Sequence, residues 1–149
     1  MKVFTILCAL LFTFAANAEN CDNISGTFQT TTEECKYSRD GVNFYNEGHK
    51  KIRLTYTEVT NKFDVEMQSA GYSLHYIADG AEQVGRPYFE GNTYVAQCMD
   101  NKAKVRGVFE LLRFPLIKSF ELNNEDKLTY KETFEGDSSI RICEMDRVE

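Results

Sequence analysis

The sequence lacks the short motifs that carry most enzyme chemistry. It contains no G-x-S-x-G nucleophile elbow, no glycine-rich phosphate-binding loop and no H-E-x-x-H zinc helix. Of its two histidines, His49 lies in a polar turn and His75 takes the polar parity of its segment. The paired carboxylates lie in turns or on polar faces, where they are solvated. We therefore expect a protein that is not an enzyme and that needs no cofactor.

The cysteines lack the spacing of a metal or redox site. Structural zinc sites usually bring their ligands in close pairs such as C-x2-C, and thioredoxin-like proteins use C-x-x-C. No two of the five cysteines lie that close together, and neither histidine neighbours a cysteine. The segment NNEDK, residues 123–127, also lacks the ligand spacing of a calcium loop. The sequence thus predicts no metal centre.

Long apolar runs are absent after the start of the chain. The one such run, residues 3–14, follows Lys2 and precedes the small-x-small sequence Ala16-Asn17-Ala18. This is the layout of a cleavable secretory signal peptide, and the run is too short to span a bilayer. We expect cleavage after Ala18, which leaves a secreted or periplasmic domain, residues 19–149, that does not insert into a membrane.

An excess of acidic residues limits the partners of this domain. Residues 1–18 contain one of the 17 basic residues and none of the 23 acidic residues, so the mature chain carries a formal charge of −7 instead of −6. A net negative charge opposes binding to nucleic acids and anionic membranes. The expected partners are a small hydrophobic ligand or another protein.

Four cysteines remain after the signal peptide is removed: Cys21, Cys35, Cys98 and Cys143. In an oxidising compartment an even number of cysteines predicts disulfides. Four cysteines permit three pairings. We expect Cys21–Cys35 and Cys98–Cys143, because this arrangement joins the neighbours in the first segment and leaves one long-range disulfide.

Apolar and polar residues alternate with period two in several short segments, which is typical of strands with one buried face. These segments are residues 51–59, 62–68, 72–79, 93–98, 127–134 and 139–145. Turn-forming pairs such as Asp40-Gly41 separate them about every ten residues. Residues 101–114 fit either a strand or a helical stripe. The sequence predicts one all-β domain, either a small antiparallel up-and-down barrel or a barrel-like sandwich, stabilised by disulfides.

The segment ISGTFQ, residues 24–29, is similar to the G-x-W opening of the lipocalins and related calycin barrels. Phe28 stands in the place of the tryptophan, which this chain lacks, and no T-D-Y-like middle motif is present. In lipocalins an arginine of the last strand packs across that aromatic ring. The resemblance implies this role for Arg141, which shares the parity of Cys143, with Arg147 as a second candidate. It also implies a small up-and-down barrel.

Four tyrosines share the parity of the apolar residues in their segments and are predicted to line the barrel interior: Tyr56, Tyr72, Tyr76 and Tyr94. Buried hydroxyls need hydrogen-bond partners, and a ligand is one source of them. A small barrel can hold one ligand or be filled by its own side chains. We expect an exported module that binds a small apolar or amphipathic ligand. The alternative is a secreted or envelope interaction protein, such as an inhibitor or adhesin, with a filled core.

We predict that protein purified from its host begins at Glu19 and contains two disulfides. Intact-mass measurement with and without reduction and alkylation checks both points. Retention of Met1, or four thiols that alkylate without reduction, would contradict the export prediction.

Overall fold

The computed structural model describes residues 21–30, 34–40, 42–47, 51–68, 71–84, 92–108 and 115–149. This part of the chain is almost entirely antiparallel β-structure, with short 3-10 helices at Asp22–Ile24 and Glu58–Thr60. Its strands are β1 (Gly26–Thr30), β2 (Glu34–Arg39), β3 (Val42–Glu47), β4 (Lys51–Thr57), β5 (Lys62–Met67), β6 (Tyr72–Ile77), β7 (Asp79–Val84), β8 (Thr93–Met99), β9 (Lys102–Val108), β10 (Leu116–Leu122), β11 (Lys127–Phe134) and β12 (Ile140–Arg147). The predicted all-β barrel is confirmed.

The period-two pattern determines which face of each strand is buried. In β5 the residues Phe63, Val65 and Met67 are buried, whereas the residues between them are partly exposed. The predicted hairpin of β4 and β5 is also confirmed, with Thr57 opposite Lys62. The turn between them ends at Asn61, which has a left-handed backbone with a φ of 50°. Asparagine adopts this conformation more readily than most residues.

Strands β1 and β2 lie one after the other along β12, and β4 and β3 lie on their other side. Strands β1 and β2 both lie antiparallel to β12, with Thr30 opposite Met145 and Lys36 opposite Ile142. On their other side β1 pairs with β4 and β2 pairs with β3. The chain turns back at Asp40, whose φ of 51° is left-handed. One edge of β12 therefore pairs with both β1 and β2.

The wall of the barrel is nearly closed. Among the described strands the sheet order is β6-β5-β4-β1-β12-β11-β10-β9-β8-β7, so its two ends are β6 and β7. These strands follow each other in sequence and are joined by Ala78. The Tyr94 hydroxyl accepts a hydrogen bond from the backbone N–H of Ile77 at 3.1 Å, and its ring packs edge-on against Tyr76. Tyr94 therefore ties β8 to β6 across the end of the sheet.

Both disulfides are present, but the predicted pairing is wrong. The structure joins Cys21 to Cys98 and Cys35 to Cys143, with Cα atoms 5.4 and 4.5 Å apart. Cys35 lies on β2, which pairs with β12, so its neighbour is Cys143 and not the cysteine that precedes it in the chain. Cys21 precedes the first 3-10 helix and anchors it to the end of β8.

The arginine that covers Phe28 is Arg147, so the prediction for Arg141 is wrong and the second candidate is confirmed. The guanidinium carbon of Arg147 lies 4.7 Å from the centroid of the Phe28 ring. The same guanidinium donates to the backbone oxygens of Asn23 and Ser25. It leaves no space for a side chain at Gly26, where a Cβ atom would collide with it. Arg141 lies near the other end of β12.

Residues 102–108 of the ambiguous segment form strand β9. Residues 109–114, His49 and the signal segment lie outside the described residues. None of the helices in the described ranges is both long and apolar enough to cross a bilayer.

We predict that Arg147→Ala lowers the free energy of unfolding by about 2–4 kcal/mol, because it removes a cation–π contact and charged hydrogen bonds from a largely buried guanidinium. Arg39→Ala is the control, since this exposed side chain should contribute less than about 0.5 kcal/mol. Urea denaturation measures both. A double-mutant cycle of Phe28→Leu with Arg147→Ala that shows no coupling would contradict the closure.

Candidate ligand-binding site

A row of charged side chains faces the inside of the barrel near the β11–β12 turn. The strand register places Lys118 opposite Glu132 and Glu132 opposite Arg141, on β10, β11 and β12 respectively. Tyr130 lies on the same face of β11, two residues before Glu132. We call Lys118, Tyr130, Glu132 and Arg141 the interior polar cluster. Most of the other buried residues in the described part of the chain, such as Phe120, are apolar.

Glu132 is the centre of the interior polar cluster. Its Oε2 atom accepts a hydrogen bond from the Tyr130 hydroxyl at 2.6 Å and lies 3.7 Å from the Nζ of Lys118. Its Oε1 atom lies 3.4 Å from the Nη1 of Arg141. The exposed fraction of the side chain rises from 6% at Lys118 to 16% at Glu132 and 30% at Arg141. The cluster therefore runs from the interior towards solvent.

Burial changes the proton affinities of two members of the cluster. Burial lowers the pKa of Lys118, an effect that the Glu132 carboxylate opposes and the Arg141 charge reinforces. Burial also raises the pKa of Tyr130 well above its ordinary value, and the Glu132 charge raises it further. The Tyr130 hydroxyl thus stays protonated and remains a donor to Glu132.

Arg141 has an unused donor. Within the described part of the chain, its buried Nε atom has no hydrogen-bond partner, while its Nη1 contacts Glu132. A buried donor without an acceptor costs about 1–3 kcal/mol, and more when the group is charged. Arg141 therefore carries a buried N–H group whose hydrogen-bonding capacity is not used within the described residues.

A pocket of about 400 Å³ is lined in part by Arg141, and its volume is within the range of about 300–1,000 Å³ that small-molecule sites occupy. Its lining combines aromatic, aliphatic, hydroxyl and charged groups from Tyr37, Glu132, Phe134, Ser139, Ile140 and Arg141. The pocket lies at the β11–β12 turn, at the end of the barrel opposite the Phe28–Arg147 closure. It offers an apolar wall next to a cationic donor.

The four tyrosines that were predicted to line the barrel interior lie away from this pocket. Tyr56, Tyr76 and Tyr94 are buried in the core, and Tyr72 is 36% exposed. The Tyr56 hydroxyl lies 3.0 Å from the Oδ1 of Asn61, and the Tyr94 hydroxyl accepts from the backbone of β6. These tyrosines do not line the 400 Å³ pocket. Their role in ligand binding stays a prediction. In the structure, Tyr94 connects β8 to β6 through its hydrogen bond with Ile77.

Tyr76 and Tyr94 instead line a small cavity of about 10 Å³, which also borders Lys118 and Asn92. That volume holds about one water molecule. Edge contacts between Phe63 and Phe120 fill the barrel further in, with ring centroids 5.6 Å apart. Among the described residues, aromatic rings thus pack in the middle of the barrel, and the pocket of about 400 Å³ lies at the β11–β12 turn.

Sequence reasoning missed Lys118 and Glu132, although a signal for both exists. In KLTYKETF the residue Glu132 shares the parity of Leu128 and Phe134, and in LIKSFEL the residue Lys118 shares the parity of Phe120. A charged residue at an apolar parity position predicts a charge inside the barrel. Arg141 shares the parity of Cys143 in the same way, and in the structure it contacts Glu132.

Sequence comparison gives no relative: the chain matches no protein-family model and no curated protein. A solved structure of the wild-type fluorescent protein UnaG resembles it, with a TM-score of 0.51 and 13% sequence identity. The match covers 83% of this chain and 96% of UnaG. Identity this low shows the fold alone. The barrel and this match support the calycin-like resemblance carried by Phe28 and its neighbours.

We predict that the unfolding free energy of the wild type, minus that of Lys118→Met, rises as the pH approaches about 10.4. This value, about 10.4, is the pKa of lysine in an unfolded chain. Burial lowers the folded-state pKa of Lys118, so between the two pKa values the unfolded chain binds a proton that the folded protein does not. The contribution of the neutral amine is complete above about 10.4 and is lost as pH falls through the folded pKa. Urea denaturation over a pH series measures the difference.

The control is Lys104→Met, which removes an exposed lysine from β9. An identical pH dependence of the two variants would contradict the burial of the Lys118 amine.

Proposed function

We propose that this chain is an exported binding module that holds one small amphipathic ligand. The apolar body of the ligand occupies the pocket at the β11–β12 turn, and an oxygen atom of its head group accepts a hydrogen bond from Arg141. The observation that carries this proposal is the interior polar cluster, a row of charges on the inner surface of a barrel.

Stability alone does not account for these charges. Removing charged groups from water costs several kcal/mol per ion, and an apolar replacement of a buried ion pair is often neutral or stabilising. Most inner positions of the barrel do carry apolar residues. Charges that stability does not require are typical of sites that bind or react. Their position beside a pocket favours binding of a ligand from that end.

The chemistry of the lining determines the class of ligand. Phe134 and Ile140 supply apolar surface, whereas Arg141 supplies a donor that lacks an acceptor. A purely apolar ligand would leave that donor unsatisfied and buried. A head group with a carboxylate or carbonyl oxygen would satisfy it. Two cations and one anion in the cluster also favour a negatively polarised head group.

Export and the absence of catalysis are part of the same proposal. Export is supported by the signal-like residues 1–18 and by two disulfides, which persist in oxidising compartments. We propose binding rather than catalysis because the sequence contains no nucleophile elbow, no glycine-rich phosphate-binding loop and no H-E-x-x-H zinc helix.

A second candidate function uses the outer surface. A groove of about 420 Å³ crosses the outer face of β8 to β11. In it Ser119 lies between Lys104 and Lys131 in the strand register, and Lys102 pairs with Glu121. This basic groove on an acidic protein favours the interaction-protein alternative, with an acidic segment of another protein as the partner.

We predict that decanoate binds the wild type and that Arg141→Ala weakens its binding by about tenfold to a hundredfold, the equivalent of one charged hydrogen bond. Isothermal titration calorimetry measures the affinity. Lys104→Ala is the matched control, because it removes a cation from the outer groove and should leave decanoate binding unchanged.

Two results would overturn the proposal. One is the absence of decanoate binding, and the other is equal binding by wild type and Arg141→Ala. Loss of binding in Lys104→Ala alone would move the site to the outer groove.

A further inference from the structure

Lys118 borders one described cavity of the barrel and lies next to a residue that lines another. Its side chain borders the cavity of about 10 Å³. The Glu132 carboxylate, 3.7 Å from the Nζ atom, lines the pocket of about 400 Å³. The lysine stem has four rotatable bonds, so its amine can turn towards a group that enters the larger pocket.

Lys118 differs from the other described lysines. It is the one whose side chain is buried, whereas Lys104 and Lys131 lie on the outer surface. Desolvation by burial is one way in which proteins make a lysine amine nucleophilic towards carbonyl carbon. The Glu132 carboxylate opposes this effect on the pKa of Lys118 but supplies a proton acceptor beside the amine. The lowered pKa of Lys118 increases the fraction of neutral amine at a given pH.

We propose that Lys118 captures an amphipathic aldehyde as a Schiff base, with the Glu132 carboxylate as its counter-ion. The inference rests on the proposed function, because the aldehyde enters through the same pocket. It goes beyond that function because it assigns a covalent bond and a class of ligand.

The reaction is balanced without an oxidant or a reductant. The Lys118 ammonium gives a proton to Glu132, and the neutral amine attacks the aldehyde carbon to form a C–N bond. The carbonyl oxygen takes a proton from the attacking nitrogen, which gives a carbinolamine. Protonated Glu132 then donates its proton to the hydroxyl, which leaves as water while the nitrogen lone pair forms the C=N bond. One aldehyde and one ammonium become one protonated imine and one water.

The neighbouring groups fit these steps. Arg141, which lines the larger pocket, can donate to the carbonyl oxygen before attack. Tyr130 holds the Glu132 carboxylate in place through its 2.6 Å hydrogen bond. The small cavity beside Lys118 has room for about one water molecule, the one that the reaction releases. The protonated imine keeps the ion pair that the ammonium made.

The test is reductive trapping in the wild-type protein. Decanal is added in less than one equivalent with sodium cyanoborohydride, which reduces an imine to a stable secondary amine. Peptide mapping by mass spectrometry then locates the adduct. We expect Lys118 to carry more adduct than any exposed lysine, despite its burial. Adducts on exposed lysines with Lys118 unmodified would overturn the inference, and this result needs no variant.

Lys118→Arg is the matched variant, because it keeps the positive charge beside Glu132 but forms no imine under these conditions. We expect loss of the pocket adduct in Lys118→Arg and its retention in Lys104→Arg. Equal adduct yields in the two variants would overturn the inference.

Competition separates this inference from the proposed function. Decanoate cannot form an imine, so excess decanoate should reduce trapping at Lys118 if both compounds use one pocket. Decanoate binding without trapping at Lys118 overturns the inference and leaves the proposed function standing. Trapping that decanoate does not reduce supports the lysine chemistry and overturns the shared pocket.

Discussion

The pairing of β12 with β1 and β2 is the constraint on which the rest of the structure depends. One edge of β12 holds β1 and β2 in succession, and the other edge holds β11. This arrangement closes the wall between the beginning and the end of the chain. It also places three inward residues of β12 at three levels of the barrel: Arg141 at the pocket, Cys143 at the disulfide to β2, and Arg147 at the Phe28 ring.

The two arginines of β12 show how position within one strand determines a role. Arg147 has its donors satisfied by backbone oxygens and by Asp126, and its face is covered by Phe28. Each nitrogen of this guanidinium thus donates at least one hydrogen bond within the protein, which stabilises the closed end. Arg141 contacts Glu132 with one nitrogen and has a second, buried nitrogen without an acceptor in the described part of the chain. The proposed binding of a ligand at this end of the barrel depends on that difference between the two arginines.

Local pattern predicted the strands and failed where the answer depended on neighbours. The alternation in β4, β5 and β6 was readable because burial of one face acts residue by residue along the chain. The partner of Cys35 was not, because it depends on which strand lies beside β2, and that is a long-range choice. Parity alone likewise placed Arg141 inside the barrel but not at a particular end of it. The charges of Lys118 and Glu132 were visible at apolar positions, although only the register shows that they lie next to each other.

The disulfides compensate for an interior that is not uniformly apolar. A row of charges at the pocket contributes little to folding, because its attraction is offset by the loss of hydration. Cys35–Cys143 joins β2 to β12 one inward position from Arg141, so a covalent bond holds the strand that carries the pocket's donor. In the chain-entropy account, closing a loop of this size stabilises the fold by about 4–5 kcal/mol whatever the neighbouring side chains contribute. If the proposed ligand binds here, the same disulfide holds the strand that carries Arg141 in position before the ligand arrives, and such preorganisation lowers the entropy lost on binding. The disulfide thus offsets the cost of the polar interior and supports its proposed use as a binding site.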